Sequence, residues 1–92
     1  MNVKIEPIGI IREYIPDVQL EFNLGDYATL ADLYHEIGER LGDELPEAIW
    51  NQKKRRFRGP VLLSSNEQLI KDETTRLYDG QKIQLRRFLV GG

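Results

Sequence analysis

The residues with the clearest chemical use stand at the end of the sequence, Arg86-Arg87-Phe88-Leu89-Val90-Gly91-Gly92. Glycine loses more conformational freedom on ordering than any other residue, so a pair of them there adds nothing to fold stability. With no side chains, Gly91 and Gly92 can pass a constriction and bring only a carboxylate to its far side. A carboxylate in that position can be activated by adenylation. Five extended residues, Phe88 to Gly92, reach up to about 17 Å. The apolar trio Phe88, Leu89 and Val90 either returns to pack on the domain or enters another protein's groove as an extended segment; the two glycines favour the second.

Other chemistry is poorly supplied. The single histidine, His35, adjoins Glu36 in a helical pattern with no accompanying nucleophile. No Gly-x-Ser-x-Gly elbow, glycine-rich phosphate loop or metal-ligand spacing occurs. Cysteine is absent, which excludes disulfides, thiolate metal sites and cysteine nucleophiles. Autonomous catalysis is therefore not expected. The run "KKRRFR", Lys53 to Arg58, holds five of the thirteen basic residues; the other eight face fifteen acids, a balance of −7 within a net charge of −2. Phe57 inside that run could stack a base while the cations meet phosphate. A broad aromatic platform is missing and the body is acidic. The run thus reads as a solvated face or a docking patch for an acidic partner, with nucleic acid disfavoured. It is expected to affect partner association more than folding.

These residues must be positioned by a small body. The 92 residues make one domain, which buries only about 60–65% of its chain surface on folding. With 40% hydrophobic and 30% charged residues the composition is that of a globular protein. Neither a long apolar run nor a signal pattern at "MNVKIEPIGI" is visible, and a cytoplasmic location is the simplest expectation. In "VQLEFNL", Val18, Leu20, Phe22 and Leu24 share one face of a strand. Val3 and Ile5 alternate before it until Pro7, which marks an edge, a bulge or a strand end. These two strands are expected to pair antiparallel. "TLADLYHEIGERLG" is a helix: Leu30, Leu33, Tyr34, Ile37 and Leu41 form one stripe, Thr29 caps it, and Asp32 completes a capping box. Gly42 suits a left-handed C-terminal position, and Gly38 implies close packing.

"PEAIWNQKKRRFRGP" could hold a short strand or a loop. "PVLLS" reads as a strand, Asp79-Gly80 as a turn, and "KIQLRR" as a last strand with Ile83 and Leu85 inward. Alternation holds through Arg86 and fails at Arg87-Phe88, where the ladder should end. The order is that of an α+β domain with the helix covering one sheet face. The expected core is Val18, Leu20, Phe22, Leu30, Leu33, Ile37, Leu62, Ile83 and Leu85. Residues 1–87 form the domain and 88–92 an extended tail.

Over nearly its whole length the chain resembles the ubiquitin-like β-grasp sulfur carriers, specifically the small subunit of molybdopterin synthase and the related thiamin-pathway carrier (MoaD/ThiS-like proteins). "IGIIREY" is similar to the family's segment after the first strand, and "LGDYATLADLYHEI" to its turn and Thr-capped helix. "NEQLIKDETTRLYDGQKIQL" is similar to the stretch that leads through Leu77 and Asp79-Gly80 into the last strand, and "VGG" to the family's ending. Two features depart from the pattern. Arg86-Arg87-Phe88 stands where prolines are common, and the basic stretch has no counterpart.

The resemblance implies a β-grasp mixed sheet packed on one main helix. It implies that a ubiquitin-activating-like adenylating enzyme, using ATP and magnesium, converts the Gly92 carboxylate to an acyl-adenylate. Sulfur from a persulfide donor then leaves a Gly92 thiocarboxylate. The charged tail would enter a sulfur-accepting synthase of the molybdopterin synthase large-subunit type, with Gly91 and Gly92 reactive and Arg86, Arg87, Phe88, Leu89 and Val90 docking. The chain itself would bind no cofactor or metal and would be a substrate or subunit of enzymes, in molybdenum or tungsten cofactor biosynthesis. The alternatives are a carrier for thiamin or another sulfur product, a ubiquitin-like modifier conjugated through Gly92, and, from another class, an RNA-binding module.

Overall fold

Strand β1 (Asn2–Ile8) pairs antiparallel with β2 (Leu20–Asn23), placing Val3 opposite Phe22 and Ile5 opposite Leu20. The structure, a computed structural model, describes residues 1–88. On its other side β1 runs parallel to β7 (Lys82–Arg87), which pairs antiparallel with β5 (Val61–Ser65), and β6 (Gln68–Leu69) closes the far edge. The sheet order is β2-β1-β7-β5-β6, so the last strand of the chain lies at the centre. Helix α1 (Leu30–Leu41) buries Leu30, Leu33, Tyr34 and Ile37 in the same core as Val3, Ile5, Ile83 and Leu85. This is the expected α+β arrangement of a mixed sheet with one main helix.

Local chemistry explains where the elements start and stop. The Asp32 carboxylate accepts from the Thr29 N–H at 2.8 Å and from its hydroxyl at 3.2 Å. The next two helix N–H groups, of Leu30 and Ala31, donate to the carbonyls of Thr75 and Glu73. Pro7 sits inside β1 rather than ending it. Lys4 N–H donates toward β7, at the Gln81 carbonyl, so alternation turns the N–H-less nitrogen of Pro7 toward β2. The ladder with β2 stops at Ile5, and no bond is lost there.

Four expectations are corrected or completed. Val18 is 75% exposed and not in the core, because β2 begins only at Leu20 and the alternation of the sequence outruns the sheet. Leu62 faces outward, because Val61, Leu63 and Ser65 take the inner positions of β5. Gly42 is right-handed (φ −54°, ψ −39°) and opens a 3-10 turn over Gly42–Glu44; its lack of a side chain makes room for the Gln52 amide. The undecided stretch after the helix is a hairpin of β3 (Trp50–Asn51) and β4 (Arg56–Phe57). Gly38 does mark close packing, since a Cβ there would lie 2.5 Å from Cδ of Arg55.

The hairpin exists to bury aromatics. Trp50 and Phe57 meet edge-on with centroids 4.8 Å apart, and Tyr34 on α1 packs edge-on at 6.1 and 5.8 Å from them. Burial, with the Glu73 carboxylate adding to it against the opposing pull of Arg56, pushes the Tyr34 hydroxyl up to about 12 from its ordinary 10.0. A raised folded-state value means this stabilisation is complete below pH 10 and is lost as pH climbs toward 12. Between about pH 9 and about pH 11.5 the wild type is expected to lose about 2 kcal/mol more unfolding free energy than Tyr34→Phe, read from urea denaturation at each pH. Parallel pH curves for the two proteins would contradict this.

Candidate functional site

Because β7 is central, its end is fixed by ladders on both sides. Arg86 stands opposite Ile8 of β1 and Leu62 of β5, and Arg87 stands opposite Val61. One further bond follows the strand, from the Phe88 N–H to the Pro60 carbonyl at 2.6 Å. Phe88 itself is 54% exposed, an aromatic outside the core as its position in the sequence implies.

The helix-free face of the sheet meets this exit. Leu62, Ser64, Glu67, Leu69, Gln84, Arg86 and Phe88 line a shallow groove there. Leu69 is 50% exposed and Leu62 half-buried, so apolar surface lies beside the charged Arg86 and Glu67 where the chain leaves the sheet. Such a surface can seat a partner's apolar side chains and pair Arg86 with an acid. The groove was not readable from the sequence. In "PVLLS" two adjacent leucines must face opposite ways, and a run that short does not say which is which.

The two arginines assigned together to docking are separated: Arg86 is exposed on the groove face, whereas Arg87 points to the other face, toward Tyr14. Leu89 and Val90, expected to dock, and Gly91 and Gly92, expected to react, lie outside the described residues.

His35 is on the exposed flank of α1, with Nε2 3.7 Å from the Glu39 carboxylate. Phe57 is buried in the aromatic cluster and cannot stack a base. The arginines of the basic run are held by acids of the body: Arg55 by Glu39 at 3.4 Å, Arg56 by Glu73 at 2.7 Å and Arg58 by Glu47 at 3.5 Å. Pairs this exposed contribute up to about 1 kcal/mol each. Lys53 and Lys54 stay exposed at the hairpin tip. Among the described residues no helix is long and apolar enough to cross a membrane.

No family model matches the chain, and no curated protein matches it in sequence. Its fold is shared with solved structures. SAMP1 (small archaeal modifier protein 1) from Haloferax volcanii superposes with a TM-score of 0.80 at 11% identity, covering 100% of both chains. Urm1 from Trypanosoma brucei gives 0.74 at 16% identity, covering 99% of this chain and 95% of that one. A chain in the complex of subunits 1 and 2 of molybdopterin-converting factor from Helicobacter pylori gives 0.66 at 23% identity, covering 100% of both. At these identities the likeness establishes the fold alone: the chain has the ubiquitin-like β-grasp fold.

Proposed function

We propose that this protein is a ubiquitin-like sulfur carrier, a substrate and subunit of other enzymes rather than an enzyme itself. The observation that carries the reading is the placing of the sheet's central strand. It ends at Arg87 beside an exposed, partly apolar groove, and the sequence then reads Phe-Leu-Val-Gly-Gly. A partner seated on the groove would thus receive whatever follows Phe88. An adenylating enzyme, using ATP and magnesium, attaches AMP to the Gly92 carboxylate and releases pyrophosphate. The outer sulfur of a donor persulfide then displaces AMP to give an acyl disulfide, and a second thiol of the donor cleaves its S–S bond, becoming a disulfide and leaving a thiocarboxylate on Gly92. The Helicobacter structure, in which subunit 1 of molybdopterin-converting factor is bound to subunit 2, supports a synthase that accepts this sulfur during molybdopterin formation.

The likeness to SAMP1, a small archaeal modifier protein, favours a second reading in which a lysine amine displaces AMP instead and Gly92 is joined to a protein. Both readings require activation. The test is ATP–pyrophosphate exchange by the adenylating enzyme of the same host, which the full chain should stimulate. An enzyme that adenylates another carrier of that host but never this one would refute both.

A further inference from the structure

Arg87 continues the alternation of β7 on the helix-covered face, after Ile83 and Leu85. A cation at an inward position is costly unless it is partnered. Its Nη1 donates to the Tyr14 hydroxyl at 3.3 Å, and its guanidinium lies 5.6 Å from the centre of the Tyr14 ring. Among the described residues its buried Nε has no hydrogen-bond partner, and no carboxylate pairs with it. Tyr14 is itself well held. It caps the 3-10 turn Gly9–Glu13, its N–H donating to the Ile11 carbonyl, between the buried Ile11 and Ile15. From the opposite flank, the Phe88 N–H is tied to Pro60 at the start of β5. The chain at residues 87 and 88 is therefore gripped from both sides.

We infer that Tyr14 and Arg87 are positioning residues that aim the end of the chain as it leaves the sheet. The inference rests on the Gly92 reading above and gives Arg87 an intramolecular task in place of a contact with the partner. The geometry sets the scale. A swing of about 5° at Arg87 moves the tip of a segment about 17 Å long by about 1.5 Å. A misplacement near 1 Å already costs on the order of 100-fold in rate. Docking on the groove governs how tightly the partner binds; the direction of exit governs how often a docked carboxylate lies in line for attack.

The experiment compares Tyr14→Phe, Arg87→Met and the double variant in ATP–pyrophosphate exchange, and follows amide hydrogen exchange by NMR in the protein alone. Each single change is expected to lower kcat about 10-fold with KM within about 2-fold, and the double variant to be no worse than the poorer single one. Protection of the Phe88 amide should fall about 10-fold in each variant, while amides from Ile83 to Leu85 keep theirs. A rise in KM with kcat intact for Arg87→Met, or effects that multiply in the double variant, would overturn the inference. So would unchanged Phe88 protection. If the full chain stimulates no exchange, the Gly92 reading falls, and Phe88 protection still decides whether the pair holds the exit.

Discussion

A form of the protein ending at Val90 is expected to fold like the full chain and to lose at least about 100-fold in ATP–pyrophosphate exchange. Removing Gly91 and Gly92 deletes no side chain, and the last strand pairing ends at Arg87, so stability should move by only tenths of a kcal/mol. The reacting group fares differently. Two residues withdraw the carboxylate by about 7 Å, far beyond the tolerance of an enclosed centre that shields an acyl-adenylate from water. Gly92→Val keeps the length but sets a branched side chain beside the reacting carbon, and should fail comparably. Equal melting temperatures with equal exchange rates for the shortened and full chains would show that the terminal glycines carry no chemistry.

Replacing Trp50 with alanine is expected to cost about 3–5 kcal/mol, a large share of the roughly 5–15 kcal/mol that a domain of this size has. Trp50 is 1% exposed, and its loss would leave Tyr34 and Phe57 lining a void between the hairpin and the helix. Edge-on aromatic contacts add about 0.5–1.5 kcal/mol per pair beyond the buried area. Val18→Ala is the matched control. At 75% exposure it should change stability by no more than about 0.5 kcal/mol, although its place in the alternating sequence suggests a core residue. Urea midpoints measure both, and a shift at Trp50 no larger than that at Val18 would mean that the hairpin is not part of the core.

The helix was legible because several signals agree there: a stripe from Leu30 to Leu41, Thr29 before it and Asp32 three residues on. The strand with Ile83 and Leu85 was legible for the same reason, its alternation matching its burial. Strand edges were harder. Val18 and Leu62 are apolar residues whose fate depends on where a neighbouring strand begins and in what register, which local pattern does not state. The β3–β4 hairpin left almost no signal, because two-residue strands have no period and its turn places Arg55, not glycine or asparagine, at positive φ.

The candidate site divides in the same way. The role proposed for Gly91-Gly92 rests on residue type, since both lie outside the described residues. The groove needed the pairing of β5 with β7, and the separation of Arg86 from Arg87 needed the face each one occupies. What looks in sequence like the failure of alternation at Arg87 is a cation occupying an inward position, with Tyr14 as its partner.

The central claim, that Gly92 carries sulfur as a thiocarboxylate, is tested most directly by the intact mass of the protein purified from its native host without reducing agent or strong nucleophiles. The expected result is a population heavier by about 16 Da, oxygen exchanged for sulfur, with fragmentation placing the gain on Gly92. Only the unmodified mass, together with species enlarged by a whole second protein through an amide at Gly92, would contradict the carrier and leave the modifier.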